Sequence, residues 1–175
     1  MNLTDIAANT LVAQCRIETP LGPLTLVTTA RGLAAALFDA QQHHPGKLTL
    51  PDDPQHPLLA QAVTEFAAYF DNPETVFTVP LDAQGSDFQK VVWKLLLGIA
   101  PGRLSTYGQI ARQMGRADCA RAVGSAVGRN PISIIVPCHR VVGHDGALTG
   151  YAAGLPRKEA LLQHEGVLPV QAVLV

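Results

Sequence analysis

The sequence predicts a mixed α/β chain, of the α+β kind in which strands and helices segregate, arranged as two units. Three observations carry this. Between residues 11 and 38, three short β-forming runs are separated by turns rich in proline and glycine. From Pro57 onward, apolar side chains recur at helical spacing, and two capping boxes open helices beyond residue 85. Charge divides the same way: residues 1–84 hold three basic and nine acidic side chains, a balance of −6, whereas 85–175 hold ten basic and five acidic, a balance of +5.

In chain order, 1–10 reads as a loose start. Runs 11–19 and 24–29 read as strands joined by Pro20-Leu21-Gly22-Pro23, and Ala30-Arg31-Gly32 turns the chain into a third strand at 33–38. The three form an antiparallel meander. The polar, proline-rich segment 41–57 reads as a loop. Leu58, Leu59, Ala62, Val63, Phe66 and Phe70 place an amphipathic helix over 57–70, and Asp71-Asn72-Pro73 ends it. A further strand is expected at 76–79. Residues 81–85 read as a linker, which sets the domain boundaries at 1–84 and 85–175.

The second unit opens on Ser86-Asp87-Phe88-Gln89, where the Ser86 hydroxyl can accept from the Gln89 N–H and the Gln89 side chain can reach back. Phe88, Val91, Val92, Leu95, Leu96 and Ile99 then predict one helical stripe, stopped by Pro101-Gly102. Thr106-Tyr107-Gly108-Gln109 is a second capping box for a short helix to Met114, which Gly115 breaks. Asp118 is placed to cap another helix reaching about Gly128. Two short helices joined through a glycine form a helix-turn-helix pattern. The run Ile132–Val136 predicts a short buried strand, and Pro137 stops or bends it. Gly143-His144-Asp145-Gly146 is a turn and 150–154 a flexible loop. Pro156 suits the first turn of a last helix over 157–165, ended by Gly166. The tail to Val175 carries no signal.

A hydrophobic fraction of 47% excludes disorder, and no apolar run approaches the roughly 18 residues a membrane span requires. The N-terminus lacks the pattern of a secretory signal. Three cysteines, an odd number without a signal peptide, predict free thiols in a reducing cytoplasm. The basic second half fits a polyanion, though solvated charge scatter gives the same count.

The chemistry concentrates in Pro137-Cys138-His139-Arg140. A thiol at the end of a rigid element, beside an imidazole and a fixed positive charge, favours the nucleophilic thiolate. Adjacent side chains on an extended chain point to opposite faces, so Cys138 and His139 need a bend or a bridging water to cooperate. Glu165 is a candidate to orient His139. The competing reading makes Cys138 an inert buried cysteine. Cys15 alternates into a strand; Cys119, in a helical first turn, is a weaker candidate nucleophile. His43, His44 and His56 read as solvated loop, and no metal site is expected. The helix Cys119-Ala120-Arg121-Ala122-Val123-Gly124-Ser125-Ala126 is smooth apart from Arg121 and Val123. Such a helix can enter a DNA groove with Arg121 reaching the base stack, or it can pack internally with Arg121 at the solvent edge. Tyr107 can donate to a nucleobase or lie half-buried. Asn130 before Pro131 is a turn residue or a hinge.

Taken together, Asn130-Pro131, the Ala-Arg-Ala-Val-Gly helix, Pro137-Cys138-His139-Arg140-Val141, Thr106-Tyr107-Gly108-Gln109, Gly150-Tyr151, Arg157-Lys158-Glu159 and His164-Glu165-Gly166 resemble the O6-alkylguanine-DNA alkyltransferase family, the methylated-DNA–protein-cysteine methyltransferases. The resemblance covers nearly all of 86–175; in 1–84 it is one of layout, best at Thr19-Pro20-Leu21-Gly22. It implies a ribonuclease-H-like N-terminal domain and a winged-helix-like C-terminal domain. It implies that Cys138 accepts the alkyl group, that His139 deprotonates it through a water with Glu165 orienting the ring, and that Asn130 is the hinge. Arg121 would be the finger entering the stack, and Tyr107 would help rotate the nucleotide and protonate the leaving base. Thr106, Ala120, Ala122 and Gly124 complete the expected DNA contacts. Val141, Tyr151, Ala152 and Lys158 would line or support the base pocket. Ala152 stands where some relatives carry a hydroxyl, which leaves backbone N–H groups to recognise O6.

The expected partner is double-stranded DNA containing O6-alkylguanine, with O4-alkylthymine as a further substrate, repaired by a monomer without cofactor. An in-line attack on an O6-alkyl group requires the nucleotide to leave the stack. Two other functions compete: a helix-turn-helix DNA-binding or damage-sensing protein, which has no need of the thiol, and a thiol hydrolase, for which no oxyanion hole is marked.

Overall fold

The computed structural model describes residues 10–44, 46 and 48–169. The loose start at 1–10, apart from Thr10, and the tail beyond 169 lie outside the described residues, as do Pro45 and Lys47 of the 41–57 loop. Strands β1 (Leu11–Ile17), β2 (Leu24–Thr29) and β3 (Leu33–Phe38) form the expected antiparallel meander in the order β1-β2-β3. The turn between β1 and β2 places Gly22 at φ +100°, a conformation that favours glycine. Helix α1 (Pro57–Asp71) covers the sheet with Leu59, Ala62, Phe66 and Tyr69, all buried at the i, i+3, i+4 spacing of its apolar stripe. Every residue of β3 is buried.

The strand expected at 76–79 does not form. The N–H groups of Thr78 and Val79 both donate to Glu65 Oε2 at 3.1 Å, so this segment spends its amides on a carboxylate of α1. Residues 81–85 are also less of a free linker than expected. Leu81 bridges Leu33, and the Asp82 carboxylate pairs with Arg31 at 2.8 Å.

Helix α2 (Asp87–Leu96) begins with the capping box at Ser86, both halves of which are made. Its buried face is Gln89, Val92, Trp93 and Leu96; Val91, expected in the stripe, is 48% exposed. Trp93 takes its place, with its indole N–H donating to the Ala126 carbonyl at 2.9 Å. The helix ends at Leu96, short of Pro101, because Gly98 and Ile99 tighten into i→i+3 bonds to Leu95 and Leu96.

Strand β4 (Ser105–Thr106) leads through the second capping box into α3 (Tyr107–Gln113). A 3₁₀ turn over Ala117–Cys119 then opens α4 (Ala120–Gly128), so the cap expected from Asp118 is not made. Cys119 holds the N-cap position without a side-chain bond, and the Asp118 carboxylate instead lies 3.7 Å from the Cys119 sulfur. Strand β5 (Val141–Val142) pairs in parallel with β4, and α5 (Leu155–His164) closes the fold. One apolar core runs through both halves, from Ala13 and Phe38 through Phe66, Trp93 and Val123 to Leu161. Among the described residues, no helix is long and apolar enough to cross a membrane.

Candidate active site

The predicted strand over Ile132–Val136 is a turn. Only Ile132 makes a β-bridge, with Ala36 on the outer edge of β3, through Ala36 N–H to Pro131 O and Ser133 N–H to Ala36 O. Ile134 then takes φ +72°, a costly conformation for a β-branched residue. Asn130 supplies the reason. Its amide nitrogen donates to Ile132 O (3.2 Å) and Val136 O (2.8 Å), gathering both ends of the run, while its oxygen accepts from Ile132 N–H (3.0 Å). The apolar residues are buried as predicted, but in a knot tied by the Asn130 side chain together with backbone bonds from Val136 N–H to Ile132 O (3.1 Å) and from Ile135 N–H to Ser133 O (2.9 Å). The knot delivers Cys138 into a 3₁₀ turn, Cys138–Arg140, rather than to a strand end.

The Asn130 amide nitrogen also reaches Cys138 Sγ at 3.0 Å, so its two hydrogens serve three acceptors. Burial holds the Cys138 thiol above the ordinary thiol range; the bond from Asn130, the charge of Lys158 and nearby backbone N–H groups pull the other way. Arg140, expected to favour thiolate, is committed elsewhere. Its Nε and Nη2 bind the two oxygens of Glu165 at 2.9 Å each, and its Nη1 meets the Ile99 carbonyl. The cation that acts on Cys138 is therefore Lys158.

His139 does not touch Cys138 directly. Its Nε2 lies 2.8 Å from Glu165 Oε1 in a fully buried pair. Burial of Glu165 alone would raise its pKa, but the bonds from His139 and Arg140 outweigh this and hold it at about 2. An ionised carboxylate only accepts, so the His139 Nε2 carries the proton and Nδ1 keeps its lone pair. That Nδ1 is buried and has no hydrogen-bond partner among the described residues. Burial pushes the His139 pKa down, with the Glu165 interaction as a partial counterweight, so the ring rests neutral and able to accept a proton.

Cys138 lines a cavity of about 280 Å³, near the lower end of the range for small-molecule sites and of a size for a single base. Tyr107 and Gly124 of the helix pair, together with Tyr151 and Ala152, form its walls. Val141 and Lys158 do not line it. Both are fully buried, and Lys158 supports the wall from behind, its Nζ donating to Val141 O (2.5 Å), Thr149 O (2.8 Å) and Gly150 O (3.3 Å). Burial lowers the Lys158 pKa to about 8, against a partial rise from Cys138. Tyr107 is half-buried at the start of α3, with its hydroxyl donating to Thr149 O at 3.2 Å. Thr106 caps that helix. Arg121 and Ala122 are exposed on α4, with Ala120 and Gly124 partly covered beside them. The Arg121 side chain makes no hydrogen bond or ion pair among the described residues and borders a second hollow between α4 and the 143–149 turn.

Two contributors, Tyr69 and Gln42, carry no signal in the sequence, and a third, Arg140, acts on a different partner from the one that the motif suggests. Tyr69 donates to Glu165 Oε1 at 2.8 Å, Arg140 clamps the same carboxylate, and Gln42 ties the first half to the cavity wall through its N–H to Ala152 O at 2.8 Å. Arg140 was visible in the motif, but its direction was not. Tyr69 falls inside the predicted helix but outside the stripe that marks it, and Gln42 lies in the predicted loop. Of the other cysteines, Cys15 is buried in β1 with its thiol pushed up to about 11 by burial and by Asp52 and Asp53. Cys119 is partly exposed.

Two family descriptions match this chain: "6-O-methylguanine DNA methyltransferase, ribonuclease-like domain" over residues 15–83 and "6-O-methylguanine DNA methyltransferase, DNA binding domain" over 87–167. A Mycobacterium bovis protein named methylated-DNA–protein-cysteine methyltransferase is 47% identical over 149 residues, 85% of this chain and 89% of that protein. A Methanosarcina acetivorans protein of the same name is 43% identical over 151 residues, 85% and 95% of the two chains. The crystal structure of Mycobacterium tuberculosis OGT in complex with DNA superposes with a TM-score of 0.83 at 46% identity, covering 89% of this chain and 93% of that one.

Proposed function

The chain belongs to the methylated-DNA–protein-cysteine methyltransferase family, and from that premise we propose that it repairs alkylated DNA by taking the alkyl group onto Cys138. The observation that carries this reading is the position of Cys138: its sulfur lies in a base-sized cavity walled by Tyr107 and Gly124 of the helix-turn-helix. A nucleotide turned out of a duplex held on α4 enters that cavity, whereas a paired base does not reach it. Substrates are O6-alkylguanine and, by the same geometry, O4-alkylthymine in double-stranded DNA.

The transfer is a displacement at saturated carbon. The His139 Nδ1 takes the thiol proton through one water, the Cys138 sulfur bonds to the alkyl carbon, and the carbon–O6 bond breaks with its electron pair left on the base. A proton returned to the base from the Tyr107 side completes the balance. Glu165 keeps Nδ1 aimed and basic, Lys158 stabilises the developing thiolate, and Asn130 holds the sulfur in place. The thioether has no route to hydrolysis, so each molecule acts once and needs no cofactor. Arg121 fills the gap in the stack, and Thr106, Ala120 and Ala122 lie against the strand.

We read 1–84 and 85–175 as two units that work as a monomer in the cytoplasm. The three free thiols suit a reducing compartment. Intact-mass measurement after incubation with an O6-methylguanine duplex tests the reading. One methyl per protein on the Cys138 peptide, and none in Cys138→Ala, is the expected result. Turnover beyond one equivalent, or no transfer, overturns it. DNA binding without transfer would instead favour a damage sensor.

A further inference from the structure

Tyr69 belongs to α1, in the half of the chain that carries none of the proposed DNA contacts, yet its hydroxyl lies 2.8 Å from Glu165 Oε1. The side chain is buried (1% exposed), and a buried phenol needs a partner. Its partner here is the carboxylate oxygen that also faces His139. Glu165 Oε1 receives three donors: Tyr69 Oη at 2.8 Å, His139 Nε2 at 2.8 Å and Arg140 Nη2 at 2.9 Å. The contact is held from both sides, because His164, next to Glu165 in the chain, donates from Nε2 to the Tyr69 carbonyl at 2.8 Å and packs edge-on against its ring.

We infer that Tyr69 is a positioning residue for alkyl transfer, acting through Glu165 to set the orientation and basicity of His139, so that α1 is part of the reaction apparatus. This rests on the function proposed above. Tyr69 does not line the cavity, so it touches neither base nor alkyl group. Its influence is electrostatic. Each donor on Oε1 takes a share of the carboxylate charge, and the remainder stabilises the imidazolium of His139. Removing the phenol leaves more charge facing His139 and raises its pKa. The other charged groups acting on the ring are Arg140 on its own turn and Lys158 on α5; Arg140 and Tyr151 act on the Glu165–Tyr69 pair. None of these is altered by Tyr69→Phe. Burial and the Glu165 charge hold the phenol pKa well above its ordinary value, so Tyr69 stays a donor wherever His139 titrates.

The test measures the rate of Cys138 alkylation by an O6-methylguanine duplex and by free O6-benzylguanine across the titration range of His139, in wild type and Tyr69→Phe. The variant is expected to lose roughly three- to tenfold in rate with both substrates on the acid limb while binding the duplex as wild type does. Its acid limb is expected to move up by about half a pH unit or more, since the base must be neutral to act. Equal rates, or a loss uniform across pH, overturns the inference. A ring-fluorinated tyrosine at position 69 is the second variant. As a stronger donor it must move the acid limb down, and it decides the matter if Tyr69→Phe folds poorly. Failure of wild type to accept a methyl overturns the function itself; methylation of wild type with an unmoved pH profile in both variants overturns only the role of Tyr69.

Discussion

Around Cys138, the side chains of Asn130, Arg140, Lys158 and Glu165 each make three or more hydrogen-bond contacts inside the protein, whereas the side chains of Arg112, Arg116, Arg121 and Arg129, on and beside the helix pair, are all exposed and make none among the described residues. The two regions spend polar side chains in opposite ways. The interior has already met the cost of ordering its groups, so nothing needs to reorganise when a base arrives. The outer face leaves its cations unsatisfied, and a phosphate backbone can replace their water and counterions. One region is built to be finished before binding, the other to be finished by it. Substitutions should therefore separate stability from DNA engagement according to which region they touch.

The largest effect is expected from Glu165→Ala. It leaves the Arg140 guanidinium, His139 and the Tyr69 hydroxyl without their shared acceptor in a buried site. Breaking one partner out of a buried ion pair costs about 3–5 kcal/mol, which chemical denaturation will read as a lower midpoint at unchanged slope. Asn130→Ala comes next. The Ile132 N–H loses its acceptor, the carbonyls of Ile132 and Val136 each lose one of two donors, and the turn that holds Ile134 at positive φ is loosened. An unsatisfied buried group costs about 1–3 kcal/mol, and alkylation by free O6-benzylguanine should slow together with repair in duplex DNA, because the sulfur itself is misplaced.

Acid probes the same interior without mutation. Glu165 is held at about 2 in the folded state against 4.5 for the free group, so its contribution to stability is full above the unfolded value and is lost as pH falls from about 4.5 toward 2. Thermal melts stepped through that window should fall more steeply in wild type than in Glu165→Gln, which has no carboxylate to titrate. Parallel curves would place the acid sensitivity elsewhere.

The contrast between the regions also explains what could be read in the sequence. β2, β3, α1 and both capping boxes follow from side-chain periodicity and local bonds, and they lie where expected. The strand at 132–136 failed because its decisive bonds come from Asn130 rather than from a neighbouring strand, and 76–79 failed because Glu65 captures its amides. Both are tertiary captures of the backbone, invisible to an alternation rule. At the site, Cys138, His139 and Glu165 were legible as types, while Tyr69 was not. A tyrosine inside a predicted helix carries no sign that its hydroxyl meets a carboxylate 96 positions later in the chain. On the outer face the sequence shows that Arg121 stands alone on a helix of small residues, and its exposure fits both a groove-facing and a solvent-edge position.

Arg121→Ala should give the smallest change in stability and a large change in function. The side chain is exposed and makes no hydrogen bond or ion pair among the described residues, so its loss should stay within about 0.5 kcal/mol and leave the melting temperature essentially unmoved. Free O6-benzylguanine reaches Cys138 without an opened duplex, and its rate should be retained. Repair of O6-methylguanine in a duplex should fall roughly tenfold or more, because nothing then fills the gap left by the extruded nucleotide. Lys90→Ala, a cation of α2 outside the helix pair, is the control for simple loss of charge. A deficit that scales with salt and matches that control would make Arg121 one phosphate contact among several. A deficit in duplex repair that persists at raised salt, with the free-base rate intact, would assign it to the stack.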